Sequence, residues 1–237
     1  MDEKLRARLV MLADKYEKKE FLDDDPSQFM HRYSQPEEQE RAAFIAASLS
    51  YGSRKLFIPR IERLLADYAK GIMPPEDDNC FYRLHTNRMV NRFLQVINGI
   101  YDNHGSMLHW IKEENVHTGL EAVKLITSYF AEQNASDLIP KDATSACKRV
   151  CMFLRWMVRD SSPVDLGLWA GQIDKSTLIM PLDTHVLQES RKLGLTTSKT
   201  GSMSTAIKLT KKMAEIFPGD PTRADFALFG LGVDEAS

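Results

Sequence analysis

Apolar residues recur along most of this chain at intervals of three and four positions, the spacing that places them on one face of an α-helix. No stretch shows the sustained alternation that is typical of a β-strand. Glycine, proline and short polar residues interrupt the apolar stripes at positions typical of helix ends. The pattern predicts an all-α protein with helices over residues 4–19, 36–52, 53–70, 86–102, 107–113, 119–130, 146–159, 183–193, 204–217 and 223–231.

No internal repeat and no low-complexity linker divides the sequence. We therefore expect residues 1–237 to form a single unit of two helical lobes around a cleft, without a separable second domain. The 237 residues, 43% of them hydrophobic, are sufficient for substantial cores.

The stretch 145–194 contains two predicted helices, each with a chemically competent residue near its start. Thr144 or Ser145 is a suitable N-cap for the first helix, which places Lys148 in the first turn, where a cation is mildly disfavoured by the helix dipole. Asp183 is well placed to cap the second helix, which is predicted to end at Gly194. From periodicity alone, a solvated surface lysine and a structural cap are the better explanation of these two residues.

Composition excludes several classes of protein. No apolar run approaches the ~20 residues of a membrane span, and the first residues lack the apolar core of a signal peptide. Three cysteines suggest a reducing compartment, and they are too few to hold a four-iron cluster by themselves. Cys147 and Cys151 could form half of a metal site, but they fit better as small buried residues. We expect a cytoplasmic, monomeric protein without a metal, an iron–sulfur cluster or another cofactor.

The net charge is only −2, but the charges are unevenly distributed. Residues 190–213 contain six cations and no acid, whereas the acids concentrate near residues 23–25, 37–38 and 76–78. A basic band on an acidic body suits salt-sensitive binding of DNA, although solvated helix faces also produce such runs.

The segment from Lys148 to Arg155, KRVCMFLR, resembles the Lys-x-x-x-x-Phe-Leu-Arg segment of the small microbial and archaeal 8-oxoguanine DNA glycosylases. The segment 182–186, LDTHV, is similar to a second segment of that family, in the same order along the chain. Longer stretches, including 44–52, 153–169 and 225–230, resemble a family of bacterial conserved hypothetical proteins that is placed by fold in the helix-hairpin-helix glycosylase superfamily. The resemblance implies a two-lobed helical bundle with a cleft, in which the hairpin and catalytic helix occupy about 120–160.

This resemblance implies a base-excision repair glycosylase with lyase activity, acting on double-stranded DNA with a flipped, damaged base such as 8-oxoguanine. Lys148 would be the nucleophile and Asp183 its partner. The expected DNA-binding residues are Lys141, Arg155, Arg159, His185, Lys208, Lys211 and Lys212. Phe153, Trp156 and Trp169 could stack a flipped base, but at helical spacing they fit a core better.

Two alternatives keep the same fold. One is a non-catalytic DNA- or RNA-binding protein in which Lys148 only contacts phosphate, and the other is a glycosylase for a different lesion. The superfamily's hairpin usually carries a Gly-x-Gly turn that binds a DNA phosphate, whereas residues 138–144 here read LIPKDAT, without glycine. Phosphate binding at this place would therefore depend on Lys141 and on the start of the following helix.

Overall fold

The computed structural model describes residues 2–236 of the chain and the side chains of residues 2–232. Helices make up 61% of the structure, which confirms the all-α class. The α-helices are α1 (Glu3–Tyr16), α2 (Pro36–Leu49), α3 (Arg54–Tyr68), α4 (Asn87–His104), α5 (Met107–Glu113), α6 (Gly119–Glu132), α7 (Lys148–Val158), α8 (Thr184–Lys192), α9 (Met203–Ala214) and α10 (Ala224–Ala236).

Short 3-10 helices cover Lys19–Asp24, Pro26–Arg32, Lys175–Thr177 and Pro221–Arg223. One small antiparallel hairpin, formed by β1 (Cys80–Tyr82) and β2 (His85–Thr86), lies between the helices predicted over 53–70 and 86–102 and takes in the first residue of the latter. Its strands are too short to show alternation, so the hydrophobic pattern could not reveal it. None of the helices within residues 2–236 is both long and apolar enough to cross a membrane.

Contacts divide the chain into two compact units. Unit 1 contains the N-terminal residues through Phe21, the segment His117–Val123 and the chain from Ala143 onward. Unit 2 contains Leu22–Val116 and Lys124–Asp142.

The core of unit 2 is centred on α2, which is buried over most of its length. Four alanines of α2 are buried, and their small side chains permit close helix packing. Phe44 of α2 lies 5.7 Å from Phe93 and 5.5 Å from Phe130, measured between ring centres. These tilted aromatic contacts join α2, α4 and α6 in one apolar cluster.

In unit 1, α1 packs along α10. The contact requires Gly230, because a Cβ at this position would lie 2.2 Å from Cδ2 of Tyr16. The Tyr16 ring meets Phe229 edge-on at 5.8 Å, and Phe21 lies 5.0 Å from Phe226. Phe153, Trp156 and Trp169 are all fully buried, so they belong to the core and not to a base-stacking surface.

A buried ion-pair network holds unit 1 together around Arg159, which follows α7 and is only 2% exposed. Its Nη2 lies 2.7 Å from Oε1 of Glu17, its Nε lies 2.8 Å from Oδ1 of Asp220, and its Nη1 contacts the fully buried Asp165. Burial opposes ionisation of Glu17, but Arg159 and Arg223 outweigh it and hold the pKa of Glu17 below its usual range. Arg159 thereby connects the turn after α1, the end of α7 and the segment before α10.

Arg155 extends this network one turn earlier on α7. Its guanidinium contacts Asp225, lies 3.4 Å from Asp165 and stacks on the ring of Phe226 at 4.5 Å. Arg223 completes the network at its edge through Glu17 and Asp14.

Replacing Arg159 with methionine should lower the free energy of unfolding of unit 1 by about 3–5 kcal/mol, because it leaves buried carboxylates without their cation. Urea unfolding monitored by circular dichroism measures this decrease. The control is Lys175→Met, which breaks the more exposed ion pair between Lys175 and Asp160 in the same unit and should cost much less. Equal destabilisation in the two variants would contradict a central role for Arg159.

Candidate active site

The first turn of α7 differs from the predicted one. The helix begins at Lys148 with Cys147 as its N-cap, and the Cys147 side chain makes no capping hydrogen bond. Thr144 and Ser145 were expected to provide the cap, and this prediction is wrong: both pair through their backbone with the segment before α9. Met203 N–H donates to the Thr144 carbonyl at 3.1 Å, and Ser145 forms a β-bridge with Ser202.

Cys147 adopts a left-handed conformation with φ of 45° and ψ of 40°, which is uncommon for a residue other than glycine. This kink converts the extended segment before it into the first turn of α7, so it determines where Lys148 emerges. Cys147 and Cys151 are both buried, as expected. Burial raises the pKa of the Cys151 thiol, so this side chain stays protonated and unreactive at neutral pH.

Asp183 is the N-cap of α8, as predicted. Its Oδ1 accepts a hydrogen bond from the Val186 backbone N–H at 2.8 Å. The helix runs to Lys192, and Gly194 follows with φ of +68°, which confirms the predicted end. Because the cap occupies one carboxylate oxygen, the other oxygen has a fixed direction.

That second oxygen meets Lys148. Asp183 Oδ2 lies 3.0 Å from Lys148 Nζ, although the two residues are 35 positions apart in the sequence. Both side chains are 36% exposed, so solvent and an incoming ligand can reach the pair. Both residues belong to unit 1.

The Asp183 carboxyl is ionised at neutral pH. Burial opposes ionisation of Asp183, but the Lys148 ammonium and the Val186 N–H outweigh burial and hold the pKa of this carboxyl below its usual range. His185 lies two positions further along α8, and its cationic form would lower the same pKa further. The His185 ring packs closely against Gly232 of α10. A Cβ atom at position 232 would lie 2.2 Å from His185 Nε2, so a larger residue there would displace the ring.

The predicted DNA-binding residues separate into two groups. Arg155 and Arg159 are each 2% exposed and are neutralised by the carboxylates of the network described above. The prediction that they contribute to a DNA-binding surface is therefore wrong, because contact with phosphate would require that network to open. By contrast, Lys141, His185, Lys208, Lys211 and Lys212 are exposed.

The lysines of α9 lie at positions i, i+3 and i+4, which share one face of the helix. Lys141 lies in unit 2, within the connector 133–147 between α6 and α7.

A surface depression of about 570 Å³ lies in unit 1. The sequence did not indicate it, because its threonines follow α8 without any periodic signal. Its lining residues are Gln188, Arg191, Lys192, Thr196 and Thr197.

Residues 25–234 match the model of a protein family of unknown function, DUF2400. The match covers most of the 237 residues, so the chain belongs to this family. Neither a curated protein nor a solved structure matches the chain significantly.

The coupling between Lys148 and Asp183 should depend on pH in a defined direction. Because the pKa of Asp183 is depressed in the folded state, the ion pair stabilises the protein above the ordinary carboxyl pKa of about 3.9, and this contribution disappears as the pH falls below that value. A double-mutant cycle of Lys148→Met and Asp183→Asn, measured by urea unfolding at several pH values, isolates the pair.

Asparagine still caps α8, so the cycle removes the charge without removing the cap. We expect favourable coupling at pH 7 that declines below about pH 4. Coupling that is unchanged or stronger in acid would contradict this account of the pair.

Proposed function

We propose that this protein is a DNA glycosylase with lyase activity of the helix-hairpin-helix type, in which Lys148 is the nucleophile and Asp183 assists it. The observation that carries the proposal is the 3.0 Å contact between Lys148 Nζ and Asp183 Oδ2. The two residues that match the glycosylase segments are thus also the two that meet in space. The predominantly helical structure agrees with that fold, and the two-lobed arrangement around a cleft is part of the proposal.

The proposed reaction begins with a damaged nucleotide flipped out of the duplex. Lys148 loses a proton, and the nitrogen lone pair of its side chain forms a bond to C1′ of the sugar. The bond between C1′ and the base breaks, and the base leaves with the bonding electrons and takes up a proton. Opening of the sugar ring then gives an imine between Lys148 and C1′, from which strand cleavage can follow.

Asp183 suits two roles in this reaction. An ionised carboxylate beside C1′ stabilises the positive charge that develops on the sugar. It can also move protons between Lys148 and the departing base. Because Oδ1 is occupied by the helix cap, Oδ2 is the oxygen that faces the amine before the reaction begins. Opening a partly exposed ion pair also requires little free energy, so Lys148 can leave Asp183 and bind the sugar.

DNA binding is proposed for the exposed cations. Lys208, Lys211 and Lys212 form one face of α9 and would contact phosphates of double-stranded DNA, as would His185 of the same unit. Lys141, in unit 2, is proposed separately as a phosphate contact. Such contacts position a duplex and contribute no sequence preference.

Borohydride reduction in the presence of oligonucleotides that each carry one damaged base, including 8-oxoguanine, should trap the wild-type protein covalently on DNA. Lys148→Ala should abolish trapping, since no amine remains to form the imine. Asp183→Asn should preserve the fold and DNA binding but reduce single-turnover excision by about 10²–10⁴-fold. Gel electrophoresis of the reduced complexes provides the measurement.

Lys175→Ala is the matched control, because Lys175 also forms an ion pair with an aspartate in unit 1. This variant should trap as well as the wild type. Lys148→Arg separates the catalytic proposal from a binding-only protein, since arginine keeps the charge but cannot form an imine. If the wild type binds DNA but is trapped on no lesion, the chain is a nucleic-acid-binding protein of this fold and not a glycosylase.

Reversing the charge of Lys208, Lys211 and Lys212 together should weaken DNA binding and flatten its salt dependence. The slope of log affinity against log salt should fall by about 0.9 for each phosphate that the variant no longer neutralises. Fluorescence anisotropy over a salt series measures both quantities. The control reverses the charge of Lys4, Lys18 and Lys19, which are also exposed and lie in unit 1. The assignment of the α9 face would be wrong if both triple variants bound DNA equally weakly.

A further inference from the structure

Arg41 of α2 differs from the buried arginines of unit 1. Arg155 and Arg159 are each surrounded by carboxylates, whereas Arg41 forms no ion pair with any residue that the structure describes. Its guanidinium lies over the Tyr101 ring at 3.8 Å and is 5.9 Å from the centre of the Tyr68 ring. Its Nε is buried and has no hydrogen-bond partner among the described residues. The Arg41 side chain is only partly buried, and tyrosines lie around its guanidinium, so the group can still take an anionic partner that enters from solvent.

Arg41 lines a pocket of about 390 Å³ that is built entirely within unit 2. This volume falls in the range of small-molecule sites, which typically combine apolar walls with a few polar groups. Ile45, Leu65 and Met73 supply apolar walls, and Tyr33 and Tyr68 supply aromatic ones. The pocket can therefore hold an apolar body against these walls and present a cation to it.

The remaining polar groups of the pocket restrict the charge of a ligand. Tyr68 donates a hydrogen bond to Asn98, and burial raises the pKa of Tyr68, so its hydroxyl stays neutral at physiological pH. Glu38 is exposed in the first turn of α2, and it is the one carboxylate among the described lining residues. Its charge would repel a dianion more strongly than a monoanion.

We propose that this pocket binds a small monocarboxylate with a planar apolar body. The fork of donors on a guanidinium matches the two oxygens of a carboxylate, and the ring of Tyr101 holds the guanidinium in place. The ligand would supply the anion that the protein itself supplies to Arg155 and Arg159. This inference does not depend on the proposed glycosylase activity, because it concerns other residues in the other unit.

Ligand-observed NMR titration of the full chain with benzoate, benzamide and phenyl phosphate tests the proposal. Benzoate should bind saturably with a dissociation constant of about 1 mM or below. Benzamide has the same shape without the charge, and it should bind about 10- to 100-fold more weakly, since hydrogen bonds to charged groups are the stronger ones. Phenyl phosphate should also bind more weakly than benzoate, because Glu38 repels its second charge.

Two substitutions should act in opposite directions. Arg41→Met should weaken benzoate binding by about 10- to 100-fold, and Glu38→Gln should tighten it several-fold by removing a repulsive charge. Arg63→Met and Glu37→Gln are the matched controls, since both residues lie in the same unit but do not line the pocket. Neither control should change the affinity.

If Arg41→Met does not fold, Arg41→Lys keeps the positive charge but lacks the fork of donors, and it should still weaken benzoate binding several-fold. The proposal is overturned if benzoate does not bind saturably, if benzamide binds equally well, or if phenyl phosphate binds more tightly. It is also overturned if a folded Arg41 variant keeps the wild-type affinity.

Discussion

The pairing of Arg159 with Glu17, Asp165 and Asp220 is the interaction on which the rest of unit 1 depends. Charges this deeply buried are tolerated only when each finds its partner, so the segments that carry them can dock in one arrangement. The network fixes the end of α7, and Lys148 lies at the other end of this 11-residue helix, about 16 Å away. The position of the candidate nucleophile thus follows from a structural constraint far from it.

The two kinds of ion pair in unit 1 have different physical consequences. Arg159 is inaccessible, and opening its network would leave several charges unpaired in an apolar interior. Lys148 and Asp183 are each about one-third exposed, so water can replace either partner at low cost. Their geometry is nevertheless retained, because the cap of α8 holds the carboxylate independently of the lysine. A pair that is both oriented and easy to open suits a residue that must exchange its partner during a reaction.

Arg41 in unit 2 represents a third situation, a partly buried guanidinium supported by tyrosine rings instead of carboxylates. A cation–π contact positions the group but leaves its charge uncompensated. The contrast with Arg155 and Arg159 shows that the role of an arginine depends on its partners as well as on its burial. In this chain the presence or absence of a neighbouring carboxylate separates a structural arginine from a candidate ligand-binding one.

The sequence by itself determined the local features of this protein: the helices, the cap at Asp183, the glycine that ends α8 and the burial of Cys147 and Cys151. These depend on residues within a few positions of each other, which spacing and capping preferences describe. Only the tertiary structure decided that Lys148 meets Asp183, that Arg155 and Arg159 are buried, and that Cys147 instead of Ser145 precedes α7. A helical face of cations looks the same in a sequence whether water or carboxylates cover it, because its partners come from segments distant along the chain.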